Sequence, residues 1–153
     1  MIRRATPGEA GLLQALTRAA FAETATCPYP SSALRESWDE AAAAIDAGVL
    51  LLVSDDGDHV VGACRYRLEG RSLYFTRLCV LPGRRRRGHA GTLLDAVEAH
   101  AANAGCARVE CSARSAFPDN RNFYLRRGYE VVGYEDVYGV KDLRTNLVLH
   151  LRR

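Results

Sequence analysis

The segment Arg84-Arg85-Arg86-Arg87-Gly88-His89-Ala90-Gly91 is the most informative part of the sequence and lies between a strand-like run and a helix-like run. Before it, residues 73–81 are rich in aromatic and aliphatic side chains, which predicts a strand that ends at Pro82. After it, apolar side chains recur at helical spacing until Gly105, a residue type common just after a helix: Ala90, Leu93, Leu94, Val97 and Ala101. The segment therefore predicts a strand, a glycine turn and a helix in direct succession.

This strand–turn–helix order predicts a phosphate-binding turn. The first N–H groups of a helix have no partner within it, and the positive end of the helix dipole lies there. Gly88 has no Cβ and lets a diphosphate approach these groups, while the arginines add positive charge. The turn is not a Walker loop, since no Gly-Lys-Ser/Thr follows, and the dinucleotide fingerprint is incomplete. Four consecutive arginines are also typical of a solvated surface patch. The prediction of a phosphate-binding turn therefore depends on the strand before the arginines and the helix after them.

Two motifs in this order resemble the GCN5-related N-acetyltransferase (GNAT) family. The first is Leu78-Cys79-Val80-Leu81-Pro82 followed by Arg85-Arg86-Arg87-Gly88-His89-Ala90. It is similar to the family's Arg/Gln-x-x-Gly-x-Gly/Ala turn after a hydrophobic strand. The second is Asn120-Arg121-Asn122-Phe123-Tyr124-Leu125-Arg126-Arg127-Gly128-Tyr129, which resembles the late Asn…Phe-Tyr-x-x-x-Gly-Phe/Tyr segment. The resemblance runs from about Ile2 to Leu151.

The resemblance implies the GNAT fold and a single N-acetyltransferase domain over residues 1–153. That fold is α+β with α/β/α-like layers, and its mixed central sheet has strands that splay apart at the cofactor site. The implied co-substrate is an acyl-CoA, most often acetyl-CoA, and no metal is implied. The implied reaction is direct attack of a primary amine on the thioester in a ternary complex.

The same resemblance assigns residues to the cofactor. The backbone of Leu78, Cys79 and Val80 is expected to bond the pantetheine amides where the strands splay. The diphosphate is expected at the turn, at Arg85, Arg86, Arg87, Gly88, His89, Ala90 and Gly91. Tyr124 matches the tyrosine that protonates the departing thiolate, although a packing role stays open. Asn120 is either a cofactor contact or a helix N-cap.

The general base is not identified by the sequence. An alkylammonium has a pKa of about 10.4, so a base or a water chain must remove its proton at neutral pH. Glu110, Glu69 and Glu23 are candidates, and each is equally readable as a solvated surface charge. His89 fits a place along the diphosphate better than one as a base. No His/Cys/Asp spacing indicates a metal site.

The sequence limits the chemical identity of the acceptor amine only loosely. In the implied fold it meets the loop between the first two helices and a segment near the C-terminus, here residues 24–32, with Tyr29, and 134–142. These segments mix aromatic, acidic and basic groups, so they specify no amine class. We favour a small-molecule amine over a protein N-terminus or lysine. The length of the acyl group and a homodimer are left open.

Composition favours one compact cytoplasmic domain. The chain has 153 residues, of which 48% are hydrophobic, enough for a sizeable core. A net charge of only +3 argues against a nucleic-acid module. The five cysteines form no CxxC pair, which indicates reduced core thiols, and no apolar run is long enough to cross a membrane. An acyl-CoA-binding sensor of the same fold, without catalysis, is the remaining alternative.

The expected element order is βααβββαβαββ. A capping box at Thr6–Glu9 starts the first helix, and Ser32 is expected to cap the second, which ends at Gly48. Residues 24–32 are expected to be a loop, and 55–58 a hairpin turn. The inner face of the first helix is predicted as Leu12, Leu13, Leu16 and Ala20. In the strand over residues 60–68, one face should carry Gly62, Cys64, Tyr66 and Leu68, and the other Arg65 and Arg67.

Overall fold

The computed structural model describes residues 1–27, 30–54, 57, 59–136 and 142–151. Its strands are β1 Ile2–Arg4, β2 Val49–Val53, β3 Val60–Glu69, β4 Ser72–Val80, β5 Arg108–Arg114, β6 Glu130–Glu135 and β7 Arg144–His150. Its helices are α1 Ala10–Phe21, α2 Trp38–Ala47, α3 His89–Asn103 and α4 Pro118–Arg126. Short 3-10 helices cover Pro7–Glu9, Ala22–Thr26, Ser32–Arg35 and Pro82–Arg84. This order confirms the one that the sequence predicts.

The strands form a seven-stranded mixed sheet in the order β1-β2-β3-β4-β5-β7-β6. The β4–β5 pair is parallel, whereas the pairs β1–β2, β2–β3, β5–β7 and β6–β7 are antiparallel. The register of β4 with β5 covers three residues of β4, namely Ser72, Leu73 and Tyr74. Together with the four helices, this mixed sheet confirms the α+β class.

The chain divides into two compact units. The first unit comprises Met1–Arg67 and Phe75–Ala99, and the second comprises Leu68–Tyr74 and His100–Arg153. The phosphate turn and the later residues of β4 belong to the first unit, while Asn120 and Tyr124 belong to the second. The organisation as one N-acetyltransferase domain stays a prediction.

One hydrophobic cluster of the first unit lies between α1, α2 and the strands. Its members are small and aliphatic side chains of α1, α2, β2, β3 and β4: Ala10, Leu13, Leu16, Ala20, Ala41, Ile45, Val49, Leu51, Ala63 and Cys79. Leu12, expected on this face, is 41% exposed, because the buried positions of α1 follow Ala10 and Leu13 instead. The expected inner face of α3 is confirmed at Leu93, Leu94 and Val97, which are fully buried.

The starts of the helices differ in part from expectation. Glu9 accepts a hydrogen bond from the Thr6 backbone at 2.9 Å, which confirms the capping box. Ser32 is not the cap of α2: the Ser37 hydroxyl accepts from the Glu40 backbone at 3.1 Å, because extended backbone at Glu36 separates α2 from the preceding 3-10 helix. The expected loop over residues 24–32 begins within the 3-10 helix Ala22–Thr26, and Tyr29 lies outside the described residues.

Strand β3 is more deeply buried than its predicted alternation implies. Both Val61 and Ala63 are buried, as are Cys64 and Tyr66, whereas Leu68 is 52% exposed. Gly62 permits a close approach of β4, because a Cβ there would lie 2.8 Å from the Cys79 carbonyl oxygen. The hairpin turn expected at residues 55–58 has three residues outside the described ones, although the antiparallel β2–β3 pair is present.

The second unit is built around the long antiparallel β5–β7 pair. Seven residues of β5 pair with β7, and β6 flanks β7 on the other side. Val109 and Leu147 are fully buried on the inner face of this sheet. Helix α4 begins at Pro118, a residue that favours the first turn of a helix, and ends before Gly128, whose φ of 93° few other residues tolerate.

Candidate functional site

The arginine-rich turn joins the end of β4 to the start of α3. A 3-10 helix, Pro82–Arg84, leads into extended backbone at Arg85. Two left-handed positions follow at close spacing, Arg86 with φ 62° and Gly88 with φ 77°. A left-handed conformation costs a non-glycine residue roughly 1–2 kcal/mol, so Arg86 is held there against its own preference. The turn therefore has a specific backbone shape that its arginine composition alone does not favour.

The start of α3 offers unsatisfied backbone donors at this turn. The Thr92 backbone donates to the Gly88 carbonyl at 3.1 Å, so Gly88 occupies the cap position. The N–H groups of His89, Ala90 and Gly91 then precede the first intrahelical bond of the ladder. A Cβ built on Gly88 would meet no atom within 4 Å, so the space in front of the turn is open to a ligand. The fit to a diphosphate is good, because donors, dipole and open space coincide.

The Arg85 side chain is occupied within the protein. Its Nε donates to the Val80 carbonyl at 3.0 Å, and one terminal nitrogen donates to the Ala20 carbonyl at 2.8 Å. The other terminal nitrogen lies 2.9 Å from both carboxylate oxygens of Glu23. Arg85 therefore ties the turn to the end of α1, and its role in binding a cofactor stays a prediction. Arg86 and Arg87 are exposed and bring the charge that the sequence assigns to the turn.

Strand β4 leads directly into the turn and carries the residues expected to bind the pantetheine arm. The side chains of Cys79 and Val80 are buried and that of Leu78 is half-buried, as expected if only their backbone meets a ligand. Burial raises the pKa of the Cys79 thiol to about 11. The thiol is therefore protonated at neutral pH and is a poor nucleophile. Just before them, Arg77 has a φ of 50°, which interrupts the regular strand.

Tyr124 lies in the last part of α4, in the second unit. Its side chain is only 8% exposed and packs between two aromatic rings. The centroid of the Phe123 ring is 5.4 Å away in an edge-on arrangement, and that of Tyr129 is 5.6 Å away. The Tyr124 carbonyl also accepts from the Tyr129 backbone at 3.1 Å, which ends the helix. The ring is therefore held in one place, as a proton donor and a packing residue both require.

Asn120 is the third residue of α4 and is exposed. The cap position belongs to Phe117, which makes no side-chain capping bond, so the N-cap interpretation of Asn120 is wrong. The helix begins two residues before Asn120 because Pro118, whose φ already suits a helix, occupies its first position. The cofactor contact of Asn120 stays a prediction.

The three candidate bases differ in their surroundings. Glu23 is largely exposed and is ion-paired with Arg85. Glu69 is exposed at the end of β3. Glu110 is half-buried on β5 and accepts a hydrogen bond from the Tyr74 hydroxyl, and this bond raises the pKa of Tyr74. Glu110 is the most enclosed of the three carboxylates, and its role as a base stays a prediction.

A buried ionic cluster in the first unit was missed by the sequence interpretation. Glu36, between the 3-10 helix Ser32–Arg35 and α2, has a side chain that is 0% exposed. Both terminal nitrogens of Arg65 donate to its two carboxylate oxygens, and Arg77 donates to one of them at 2.7 Å. Arg18 of α1 donates to the Glu36 carbonyl at 2.8 Å. These four residues are called the Glu36 cluster below.

The cluster draws on four separate segments, which is why no single motif reveals it. Thr17 accepts from Arg65 at 3.0 Å, and Ser32 accepts from Arg77 at 3.1 Å. The expectation for Arg65 as a member of a polar face is corrected: it is largely buried against an acid from another element. The available signal was an arginine inside each of two apolar strands, since such a charge needs a buried partner.

The described residues contain no cluster of three His, Cys, Asp or Glu side chains arranged to hold a metal ion. Within the same residues, no helix is both long and apolar enough to cross a membrane. Of the two segments expected to meet the acceptor, residues 28, 29 and 137–141 lie outside the described part of the chain.

Comparison with known proteins identifies a family and a relative. The model of the acetyltransferase (GNAT) family matches residues 12–129. An uncharacterised N-acetyltransferase of Bacillus subtilis, YjcF, is 33% identical over 86 residues, which are 56% of this chain. The aligned part spans 59% of the length of that relative.

Solved structures share the fold along the whole chain. The PaiA N-acetyltransferase of Thermoplasma acidophilum, in complex with coenzyme A, superposes with a TM-score of 0.84 at 15% identity, covering 99% of this chain and 98% of that one. YncA of Salmonella typhimurium, with its cofactor acetyl-CoA, gives 0.79 at 16% identity, covering 100% of this chain and 94% of that one. At these identities the likeness shows the fold alone.

Proposed function

The chain belongs to the acetyltransferase (GNAT) family, and we propose from this that it transfers an acetyl group from acetyl-CoA to a primary amine. The observation that carries the proposal is the shape of the turn at Gly88, where backbone donors, the α3 dipole and open space coincide. A diphosphate is the part of acetyl-CoA that this arrangement suits. The favoured acceptor is a small molecule rather than a protein N-terminus or lysine.

The backbone of Leu78, Cys79 and Val80 is proposed to bond the amides of the pantetheine arm. The arm would start at the turn and follow β4 from Val80 towards Leu78, because these residues lead directly into the turn. Bound acetyl-CoA supplies an activated acyl group as a thioester. The role of Arg85 is to hold the turn in place from behind, through the carbonyls of Val80 and Ala20.

Direct transfer to the amine is proposed. The amine nitrogen forms a bond to the carbonyl carbon while the carbon–sulfur bond breaks, and Tyr124 gives a proton to the departing thiolate. The amine loses its own proton to a base, directly or through water. A relay through Cys79 is disfavoured, because burial keeps that thiol protonated with a pKa of about 11.

The cofactor site is tested by Gly88→Glu, which places a side chain and a negative charge in the open space before the turn. Coenzyme A affinity measured by calorimetry should fall by about 100-fold or more, since each hydrogen bond to a charged group is worth about 1.5–3 kcal/mol. Gly83→Glu is the matched control, because Gly83 is exposed and its Cβ also meets nothing within 4 Å. Gly88→Ala isolates the strain of the left-handed backbone. Unchanged affinity in Gly88→Glu contradicts this site.

The catalytic role of Tyr124 is tested by Tyr124→Phe, which keeps the ring and its packing against Phe123 and Tyr129. A positioned acid contributes about 10²–10⁴-fold in rate, so kcat should fall in that range while coenzyme A affinity and the unfolding midpoint stay unchanged. An equal loss of affinity and stability would instead make Tyr124 a packing residue. Full activity would show that another group protonates the thiolate.

Catalysis itself is tested by incubating the protein with acetyl-CoA and a panel of amines and measuring released thiol. The alternative is an acyl-CoA-binding sensor, and the tight packing of Tyr124 is the observation in its favour. Release of thiol that depends on the amine supports the enzyme. Binding of coenzyme A without turnover on any amine or on a peptide library supports the sensor.

A further inference from the structure

We propose that the acceptor amine carries a carboxylate, and that Arg77 and Arg18 of the Glu36 cluster bind it. This inference rests on the proposed function and names a substrate class for it. Four observations carry it: the place of Arg77 along β4, the charge balance of the cluster, the exposure of two of its arginines and the geometry of their donors.

The place of Arg77 follows from the path proposed for the pantetheine arm. The arm starts at the turn and passes Val80 before Leu78, so its thioester end comes nearest to the residue that precedes Leu78. That residue is Arg77, whose φ of 50° breaks the regular strand there. Because the amine must reach the thioester carbon, the other groups of the acceptor come within reach of the Arg77 side chain.

The charge balance of the cluster is positive. Three guanidinium groups contact Glu36, which has a single carboxylate. Glu40, an exposed residue of α2, adds a weaker attraction on Arg77. Burial and the repulsion from Arg65 nevertheless lower the pKa of Arg77, so its positive charge is incompletely compensated. An anion placed beside Arg77 would relieve that repulsion, whereas a second ammonium would increase it.

The three arginines differ in what they have left to offer. Both terminal nitrogens of Arg65 are used within the protein, because they donate to the Glu36 carboxylate and to the Thr17 hydroxyl. Arg77 keeps 23% of its side chain exposed, and among the described residues one of its nitrogens donates only to the hydroxyl of Ser32, an exposed residue. Arg18 is exposed and uses one terminal nitrogen on the Glu36 carbonyl. Arg77 and Arg18 are therefore the pair available to a ligand.

A carboxylate fits this pair better than other acceptor groups. Guanidinium donors lie in a plane and match the two oxygens of a carboxylate, and such charge-assisted bonds are strong where water is partly excluded. Glu36 holds Arg77 in place in advance, so little side-chain freedom is lost on binding. The surplus positive charge disfavours diamines and other acceptors with a second cationic group.

The experiment compares matched acceptors. Acetyl-CoA turnover is measured, as released thiol, for α-, β- and γ-amino acids, for the amide of each, and for diamines. Amides are the more demanding comparison, because their ammonium groups lose a proton more readily at neutral pH. For the best pair, kcat/KM should favour the carboxylate by about 10- to 100-fold, the effect of a charge-assisted hydrogen bond.

Variants then locate the carboxylate. Arg77→Gln should raise KM for the acid and so remove most of its kcat/KM advantage over the amide, with coenzyme A affinity unchanged. Arg77→Lys should keep part of the preference. Arg67→Gln, which alters an exposed arginine on β3, is the matched control and should keep all of it. Arg18→Gln serves as a second variant should Arg77→Gln fold poorly. Arg18 donates to the Glu36 carbonyl, so this substitution leaves the two arginine partners of the Glu36 carboxylate in place.

The outcomes separate this inference from the proposed function. Equal turnover of acids and amides by the wild-type enzyme overturns the inference but leaves the acetyltransferase intact. An equal loss for acid and amide in Arg77→Gln also overturns it, because Arg77 would then act on folding or on the co-substrate. Absence of turnover with every amine contradicts the proposed function itself.

Discussion

The two units of the chain each contain a buried carboxylate, and the two carboxylates are neutralised differently. In the first unit Glu36 is shared by two guanidinium groups at its carboxylate and a third at its carbonyl. In the second unit Asp142 faces one guanidinium among the described residues, since Arg114 Nε donates to it at 2.7 Å, and the Ala116 backbone also donates to it at 3.0 Å. Among the residues that the structure describes, the second arrangement sets one guanidinium against one carboxylate, whereas the first sets three against one.

The two sites show how a structural ion pair can be distinguished from one that can still bind a ligand. In a balanced pair the two charges neutralise each other, so an added ion of either sign gains little interaction energy there. A cluster with excess charge of one sign remains attractive to the opposite sign. Burial alone does not separate the two cases, because both carboxylates are almost fully enclosed.

The largest effect is expected from Glu36→Gln. The amide leaves the guanidinium groups of Arg65 and Arg77 without a counter-charge in a buried place, and breaking such a pair costs about 3–5 kcal/mol. Urea unfolding should show this loss in the free energy of unfolding. Glu130→Gln, an exposed position of β6, should change it by less than about 0.5 kcal/mol. A similar small change at both positions would show that the cluster is not stabilised by its charges.

A smaller effect is expected from Asp142→Asn. The amide oxygen can still accept from the Ala116 backbone, and only Arg114 loses its counter-charge. The loss in the free energy of unfolding should be about 3 kcal/mol, the lower end of the cost of breaking a buried pair, because one guanidinium rather than two loses its counter-charge. The preference for a carboxylate acceptor should not change, since this pair has no part in it. A change in that preference would contradict the conclusion that the Glu36 cluster and not the Asp142 pair determines it.

The smallest effect is expected at Arg3 and Glu9, a balanced pair near the surface. Two hydrogen bonds of 2.7 Å from Arg3 lower the pKa of Glu9 to about 2. A lowered pKa stabilises the fold above the unfolded value of 4.5, and this stabilisation is lost as the pH falls towards 2. Because the Arg3 side chain is 38% exposed, solvent reduces the contribution to about 1 kcal/mol or less.

The pH dependence of that pair is measured by comparing wild type with Glu9→Gln in urea at pH 7 and at pH 3. The variant should be the less stable protein at pH 7, and the difference should narrow at pH 3, because Glu9 of the unfolded chain, with a pKa of 4.5, is protonated there before Glu9 of the folded protein. A difference that is equal at both pH values would assign the stabilisation to the capping bond with Thr6 rather than to the charge.

Local patterns predicted the order of the elements well. Apolar periodicity, Gly48 and the capping box located helices and strands because each acts over a few neighbouring residues. Errors came where the competing signals were equally local. Ser32 and Ser37 are both good caps, and only the packing of Glu36 between them decides which begins α2.

The candidate site divides in the same way. The turn at Gly88 is contiguous in the chain, so its residues could be assigned from their order alone. The hydrogen bonds of the Glu36 cluster instead join residues that are far apart in sequence: 18 positions for Arg18, 29 for Arg65 and 41 for Arg77. Nothing in one sequence pairs a given acid with a given arginine at such distances.

The state of the cysteines has a consequence at the bench. All five lie among the described residues as thiols, and four of them are buried, which leaves Cys27 as the one that is half-exposed. A colorimetric reagent that counts the coenzyme released in turnover will therefore meet a background of one protein thiol per chain rather than five. Cys27 ends the 3-10 helix Ala22–Thr26, so a fluorophore attached there would also report on the segment expected to meet the acceptor.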